Sequence, residues 1–453
     1  MKSYLQSVLA NAPCDYAEFR YQEFTSTLLV FDGDGLKDVA LNNGRGGFVR
    51  VLVKGQFGVA SFEDLERAAE YLEKAVTLAK VKAGTFGGFA PAEVNVDDVD
   101  VDVPRPAHRV DLDEKVAVVS KYNDILLSHD RIPSTDTRYR DFYDHRVFAN
   151  TEGAAVSVKT PRLGLALRPI ASEGGVVQMA IHNYGGVVGF DHVLGREAEV
   201  EELAAHAATL LDAEPVTGGT YDVITDPVLT GVFAHEAFGH AAEADDVAQD
   251  EKLREIMTPG RRFGSEVLSI VDDANYEGHY GYVPYDDEGV RGRKKYLIRD
   301  GVLTGLLHDR ETATRMDVQP TGNARALDYR FAPLVRMTST YIEPGEISFD
   351  EMLASVPRGI YARRAKGGTG GETFTFTAED GYLIENGKLT KHLRDLKLQG
   401  NLFRTLENIV AVANDFTVPE EGMGGCGKGG QSPLPVSSGG PHMLVKDVQI
   451  GGR

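Results

Sequence analysis

Cysteine is almost absent from this chain, with Cys14 and Cys426 the two that occur in 453 residues. Two thiols make no disulfide framework, and so few fits a reducing, cytoplasmic setting. An excess of positive charge is also missing: 48 Lys and Arg stand against 68 Asp and Glu, a formal net charge of -20. So acidic a surface speaks against nucleic acid and anionic membrane as partners. No apolar run is long enough to span a bilayer. Met1 to Ala12 lacks a basic start, a long apolar core and a cleavage site, so no secretory signal is expected. Glycine, by contrast, is plentiful at 50 residues, which points to many turns and many strands. The length implies two or three packed units.

The patterning predicts an α+β chain. Tyr16 to Phe24 alternates in part, and Gly47–Val53 with Gln56–Ser61 reads as a hairpin, preceded by loop chemistry over Asn42 to Gly47. Ser61 with Asp64 resembles a capping box, and Leu65, Ala69, Leu72, Val76 and Ala79 then mark a helix face. Helices are also expected over about 111–127, 196–212 and 401–413. The acidic stretch Val94 to Val103 is either a linker or an edge strand. Gly218-Gly219 follows a helix and precedes a short strand. The division expected is an N-terminal α/β domain, 1–217, and a strand-rich C-terminal domain, 218–453, with a motif helix at the junction. The second half repeats a pattern: Tyr296-Leu297-Ile298-Arg299-Asp300-Gly301 recurs as Tyr382-Leu383-Ile384-Glu385-Asn386-Gly387, and each Asp-Gly or Asn-Gly pair signals a tight hairpin.

The chemistry concentrates in His235-Glu236-Ala237-Phe238-Gly239-His240. Asp226-Pro227 is a good helix start, and the apolar run after it carries both imidazoles. Histidines beside a glutamate suit a metal with a water to deprotonate. These two are five apart, so on a regular helix they diverge by about 140°. One metal could then be shared only if the helix is distorted, and Gly239 is where an irregular turn or bulge is expected. A third donor is needed. Glu243, Asp245 and Asp246 are near, but an acidic run after a helix is usually solvated. Cys426, in the glycine-rich Gly422 to Gln431, is the better candidate, because glycines let backbone approach a ligand closely. Cys14 has no such setting.

The motif helix, Cys426-Gly427-Lys428 with Gly430-Gln431, Asp286-Asp287-Glu288-Gly289 and Pro320-Thr321-Gly322-Asn323 together resemble the TldD/PmbA (TldE) family. Met337-Thr338, Thr340-Tyr341 and Gly359-Ile360-Tyr361 add to the likeness. The resemblance implies a cytoplasmic zinc metallopeptidase acting on unfolded or extended peptides, with leader-peptide removal or antitoxin degradation as outcomes. It implies His235, His240 and Cys426 as Zn2+ ligands and Glu236 as general base. A sister subunit of the TldE/PmbA kind is implied too, although the chain is somewhat short for the better-known heterodimer and a homodimer stays open. Asn323, Tyr361 and His308 are candidates to orient substrate. The alternatives are a non-catalytic peptide-binding subunit and a zinc hydrolase of a small amide.

Overall fold

A computed structural model describes residues 1–452. The strands β1 (Tyr16–Asp32), β2 (Gly35–Val53), β3 (Gln56–Phe62), β4 (Val96–Asp100), β5 (Ser134–Asn150) and β6 (Ala155–Leu167) form the main path of a nine-stranded sheet, in the order β3-β2-β1-β5-β6-β4. All neighbours are antiparallel except β4, which joins β6 in parallel as an acidic edge. Side chains alternate between the two faces. Phe19 and Leu29 of β1, Val49 and Val51 of β2, and Tyr139 and Val147 of β5 are buried on one of them. Helices α1 (Lys2–Leu9), α2 (Ala68–Ala79), α3 (Leu112–Leu127) and α4 (Glu197–Thr209) supply the apolar residues that cover it. The alternate residues are polar: Glu18, Arg20 and Gln22 of β1 and Asp144 and Arg146 of β5 face the second half of the chain.

That half is built on two further sheets, one of eight strands and one of five. Gly219–Thr225 lies inside the larger one, parallel to Arg358–Thr369 and antiparallel to Met443–Gly451. The chain is thus α+β and strand-rich. The two similar hairpins turn through Asp300 and Gly301 (φ 49° and 77°) and through Asn386 and Gly387 (φ 54° and 71°), the left-handed pair a two-residue turn needs. One lies in the five-stranded sheet and the other in the eight-stranded one, so a single local solution serves two sheets. No helix among the described residues is long and apolar enough to cross a membrane.

Three local expectations are corrected. Asn42 to Gly47 is not a loop but part of β2, paired with Gln22 to Ser26 and beyond. Its glycines make room for rings: a Cβ at Gly44 would strike Phe24, at Gly46 Tyr329, and at Gly47 Phe62. Asp64, not Ser61, caps the helix that follows β3, accepting from Glu66 N. The stretch 401–413 is helical only over Leu402–Glu407. Ile409–Val412 is a strand on Met443–Gly451, where the β-branched residues fit.

The loop that carries Cys426 is held by backbone contact. A Cβ at Gly164 of β6 would overlap the carbonyl of Gly422. Backbone cannot yield as a side-chain tip can, so Gly164→Ala is expected to cost about 1–3 kcal/mol. Thermal unfolding checks this, and an unchanged Tm would mean that the loop moves freely.

Candidate metal centre

Asp226 ends the strand Gly219–Thr225 and starts the motif helix. Its Oδ1 accepts from Leu229 N at 2.9 Å and its Oδ2 from Arg364 N at 2.9 Å. Helix α5 (Pro227–Val232) then gives way to a π-helical turn over Phe233–Gly239, in which the His240 N–H bonds to the carbonyl of His235. That five-residue step brings the two imidazoles onto one side. Their centroids lie 5.1 Å apart, with ring planes at 81°. The expected distortion is present, though it spans the whole motif. Gly239 itself has ordinary helical dihedrals; its missing Cβ admits the sulfur of Met337.

Cys426 comes from a small hairpin, Cys426–Lys428 against Gln431–Leu434, which turns through Gly429 and Gly430 at positive φ. Its Sγ lies 3.4 Å from His240 Nε2. The donor atoms of His235, His240 and Cys426 all lie within 4.8 Å of one another. Burial pushes the Cys426 thiol up, but the neighbouring His235 and His240 outweigh this and bring it down to about 5. Burial likewise disfavours charge on His240, yet Cys426 and Glu243 carry it up to about 10. In the metal-free site these opposite shifts favour a thiolate beside an imidazolium.

Three further groups complete the setting. Glu243 is buried, and its Oε2 accepts from His240 Nδ1 at 3.0 Å and from Lys428 Nζ at 3.0 Å. A carboxylate on the far nitrogen of a ligating histidine fixes its tautomer and orientation. The expectation of a solvated acidic run thus fails at Glu243, whose partner Lys428 arrives from the cysteine hairpin. Glu421 is half-buried, and desolvation raises it to about 7, opposed by His235. Neither Glu421 nor Lys428 carries a local signal beyond closeness to Cys426. Glu236 is half-buried on the π turn, and its carboxylate has no hydrogen bond or ion pair among the described residues. Gly370, at the tip of the hairpin of Arg358–Thr369 and Thr373–Glu385, packs directly on its backbone carbonyl.

The donors suit a metal. Two imidazoles and a thiolate match zinc's preference for N and S, and His235 Nδ1 is buried with no hydrogen-bond partner. A second group, His206, Glu379 and Asp380, is equally close, but its carboxylates are occupied. Glu379 accepts from Ile181 N at 2.7 Å and from Arg364, and Asp380 pairs with Arg363 and His392. Two arginines there disfavour a cation.

The remaining predicted residues are engaged elsewhere. Asn323 Nδ2 donates to Asp272 and to the Arg336 carbonyl, both at 2.9 Å. Tyr361 OH meets His442 Nε2 at 2.7 Å. His308 bonds Thr312 through Nδ1 at 3.2 Å, and burial holds it down to about 4. None of these bonds reaches the three donors.

Family models described as PmbA/TldA metallopeptidase domain 1, central domain and C-terminal domain match residues 17–79, 105–213 and 218–452. A metalloprotease from Synechocystis sp. is 37% identical, covering 97% of this chain and 95% of the relative. A metalloprotease from Methanothermobacter thermautotrophicus is 38% identical, covering 99% and 98%. A zinc metalloprotease TldD homolog from Saccharolobus solfataricus is 33% identical over 72% of each. Among solved structures, TldE from Thermococcus kodakarensis shares the fold, with a TM-score of 0.75 at 20% identity over 97% of both chains. The chain belongs to the PmbA/TldD metallopeptidase family.

Proposed function

We propose that this protein is a zinc-dependent peptidase of unfolded or extended peptides, with His235, His240 and Cys426 as ligands and Glu236 as general base. The observation that carries the reading is the convergence of three N and S donors, two of them on a π turn and the third from a hairpin 186 residues on. Zinc held there would supply Lewis acidity, acidifying water and polarising a carbonyl. Glu236 is free to take the proton and return it to the leaving amine. Glu243 holds His240 in its ligating orientation, and Lys428 balances the charge of Glu243. An extended peptide would bind by main-chain hydrogen bonds along a sheet edge, which suits loose sequence preference. Leader peptides and antitoxins are substrates of that kind. The setting proposed is cytoplasmic, and a TldE/PmbA-like sister subunit or a second copy of the chain would complete a dimer.

Hydrolysis of an unfolded protein is the test: a chelator should abolish it and zinc restore it. Activity that persists in chelated, zinc-free protein would overturn the reading. Zinc uptake should also release protons. At neutral pH the thiol, lowered to about 5, is already ionised, whereas His240, raised to about 10, still holds its proton. About one proton per zinc is therefore expected from this pair, and affinity should rise with pH. Calorimetry in buffers of different ionisation heat reads the number directly.

A further inference from the structure

The polar face of the first sheet and the second half of the chain enclose a cavity of about 500 Å³, within the range of ligand pockets. Arg20, Arg140, Arg146, Arg162, Arg325 and Arg330 line it, in a protein whose net charge is -20. Three have carboxylate partners: Arg146 with Asp144 and Asp287, Arg20 with Asp287, and Arg330 with Asp328. The other three have none among the described residues. Arg162 donates to the carbonyls of Tyr280 and Tyr282 at 3.1 and 2.9 Å. Arg325 donates to those of Met337 and Pro435. Half-buried Arg140 has no hydrogen bond or ion pair among the described residues and lies over the ring of Phe142, 5.6 Å from its centroid. Next to Arg325 lies fully buried Arg336, whose Nε and Nη2 have no partner, and Arg20 Nε has none either. Burial and the nearby Arg162, Arg336 and Arg146 push Arg325 down to about 9. Asp286, also on the wall, offers no relief, since backbone N–H groups of Glu288, Val290 and Ala324 occupy its oxygens.

Buried guanidinium groups are ordinarily paired, and their planar fork matches carboxylate geometry. We infer that this cavity is a subsite for the carboxylates of an acidic peptide segment, so that the protein selects substrates bearing Asp, Glu or a free C-terminus near the cleaved bond. Position supports a peptide occupant. Ser432 to Pro435 line the cavity, and Leu434 is the register partner of Cys426, so one small hairpin separates the subsite from the candidate metal centre. Phe24, Phe142, Tyr280 and Tyr282 supply apolar wall for side chains. The acidic exterior repels such a segment, so affinity must arise in the cavity and weaken with salt.

That the occupant is a peptide rests on the peptidase reading, and the test separates the two. Binding of fluorescent peptides is measured on chelator-treated protein, where nothing is cleaved. A Glu-containing extended peptide should bind about tenfold more tightly than its Gln counterpart at low salt. Arg140→Gln, which removes an unpaired half-buried group and should fold normally, and Arg162→Lys should each erase most of that difference. Free-acid and amidated forms tell a terminal carboxylate from side-chain ones. Equal binding of Glu, Gln, free-acid and amidated peptides overturns the inference. So does a preference unchanged in both variants, or inorganic phosphate binding more tightly than the Glu peptide. Charge preference without zinc-dependent hydrolysis would keep the subsite and sink the peptidase reading; hydrolysis without charge preference would do the reverse.

Discussion

Glu236→Gln is expected to lower kcat by about 10³-fold, within the range that a positioned proton acceptor supplies, while zinc content and Tm stay at wild-type values. The two halves of this expectation have separate causes. Glutamine is nearly isosteric but takes no proton. The Glu236 carboxylate is half-buried and unengaged among the described residues, so removing its charge strands no partner, and a change of that sort usually lies within about 0.5 kcal/mol. The backbone beneath Gly370 is untouched. Hydrolysis of an unfolded substrate, metal analysis and thermal melting of one preparation decide it. Activity within tenfold of wild type would remove Glu236 as the base, and lost zinc would recast it as a ligand or a structural support.

What the sequence reveals and what it hides divide along the range of the interactions. The Asp226-Pro227 start and the Asp300-Gly301 and Asn386-Gly387 turns are set within a few residues, and all are found where expected. The five-residue histidine spacing demands distortion by helix geometry alone, and a π turn supplies it. Glycine misleads at Gly44, Gly46 and Gly47 because it acts there through volume and not through φ. The rings that need the space come from Phe24, Phe62 and Tyr329, and only pairing brings them near. Ile409 to Val412 follows a helical period, but its β-branched residues find a strand partner at Met443 to Val445. Glu243 looks like surface because the sequence does not show that Lys428 closes over it. The arginine cavity is hidden for the same reason: its residues lie on strands and loops spread from Arg20 to Arg330, and in an acidic chain each reads as a paired surface cation.

Cys426→Ala should lower zinc affinity by about 10³-fold or more, since one of three protein donors is lost and a structural zinc site holds on the order of 10 kcal/mol. The lysine and carboxylate around the site stay, so the variant should still fold, and chelated wild-type protein is the proper reference for its stability. In that reference the thiolate–imidazolium pair contributes, and the two lowered and raised groups fix its pH window. The thiol falls from 9.0 to about 5 on folding, so its contribution is present in full above the unfolded value and is lost as pH falls through about 5. His240 rises from 6.5 to about 10, so its contribution is present in full below the unfolded value and is lost as pH climbs through about 10. Each of these shifts depends on the other group's charge, so the pair contributes where both are charged, and the Tm gap between chelated wild type and Cys426→Ala should be widest near neutral pH, narrowing as pH falls through about 5 and as it climbs through about 10. A gap that is flat with pH would mean the thiol is protonated and merely packed, as small buried cysteines usually are. Cys426→Ser separates the terms further, because it keeps the volume but ionises far less readily: it should bind little zinc and lose the pH-dependent gap as the alanine variant does. Wild-type zinc content in either variant would remove Cys426 as a ligand and return the search for a third donor to Glu243 or Glu421.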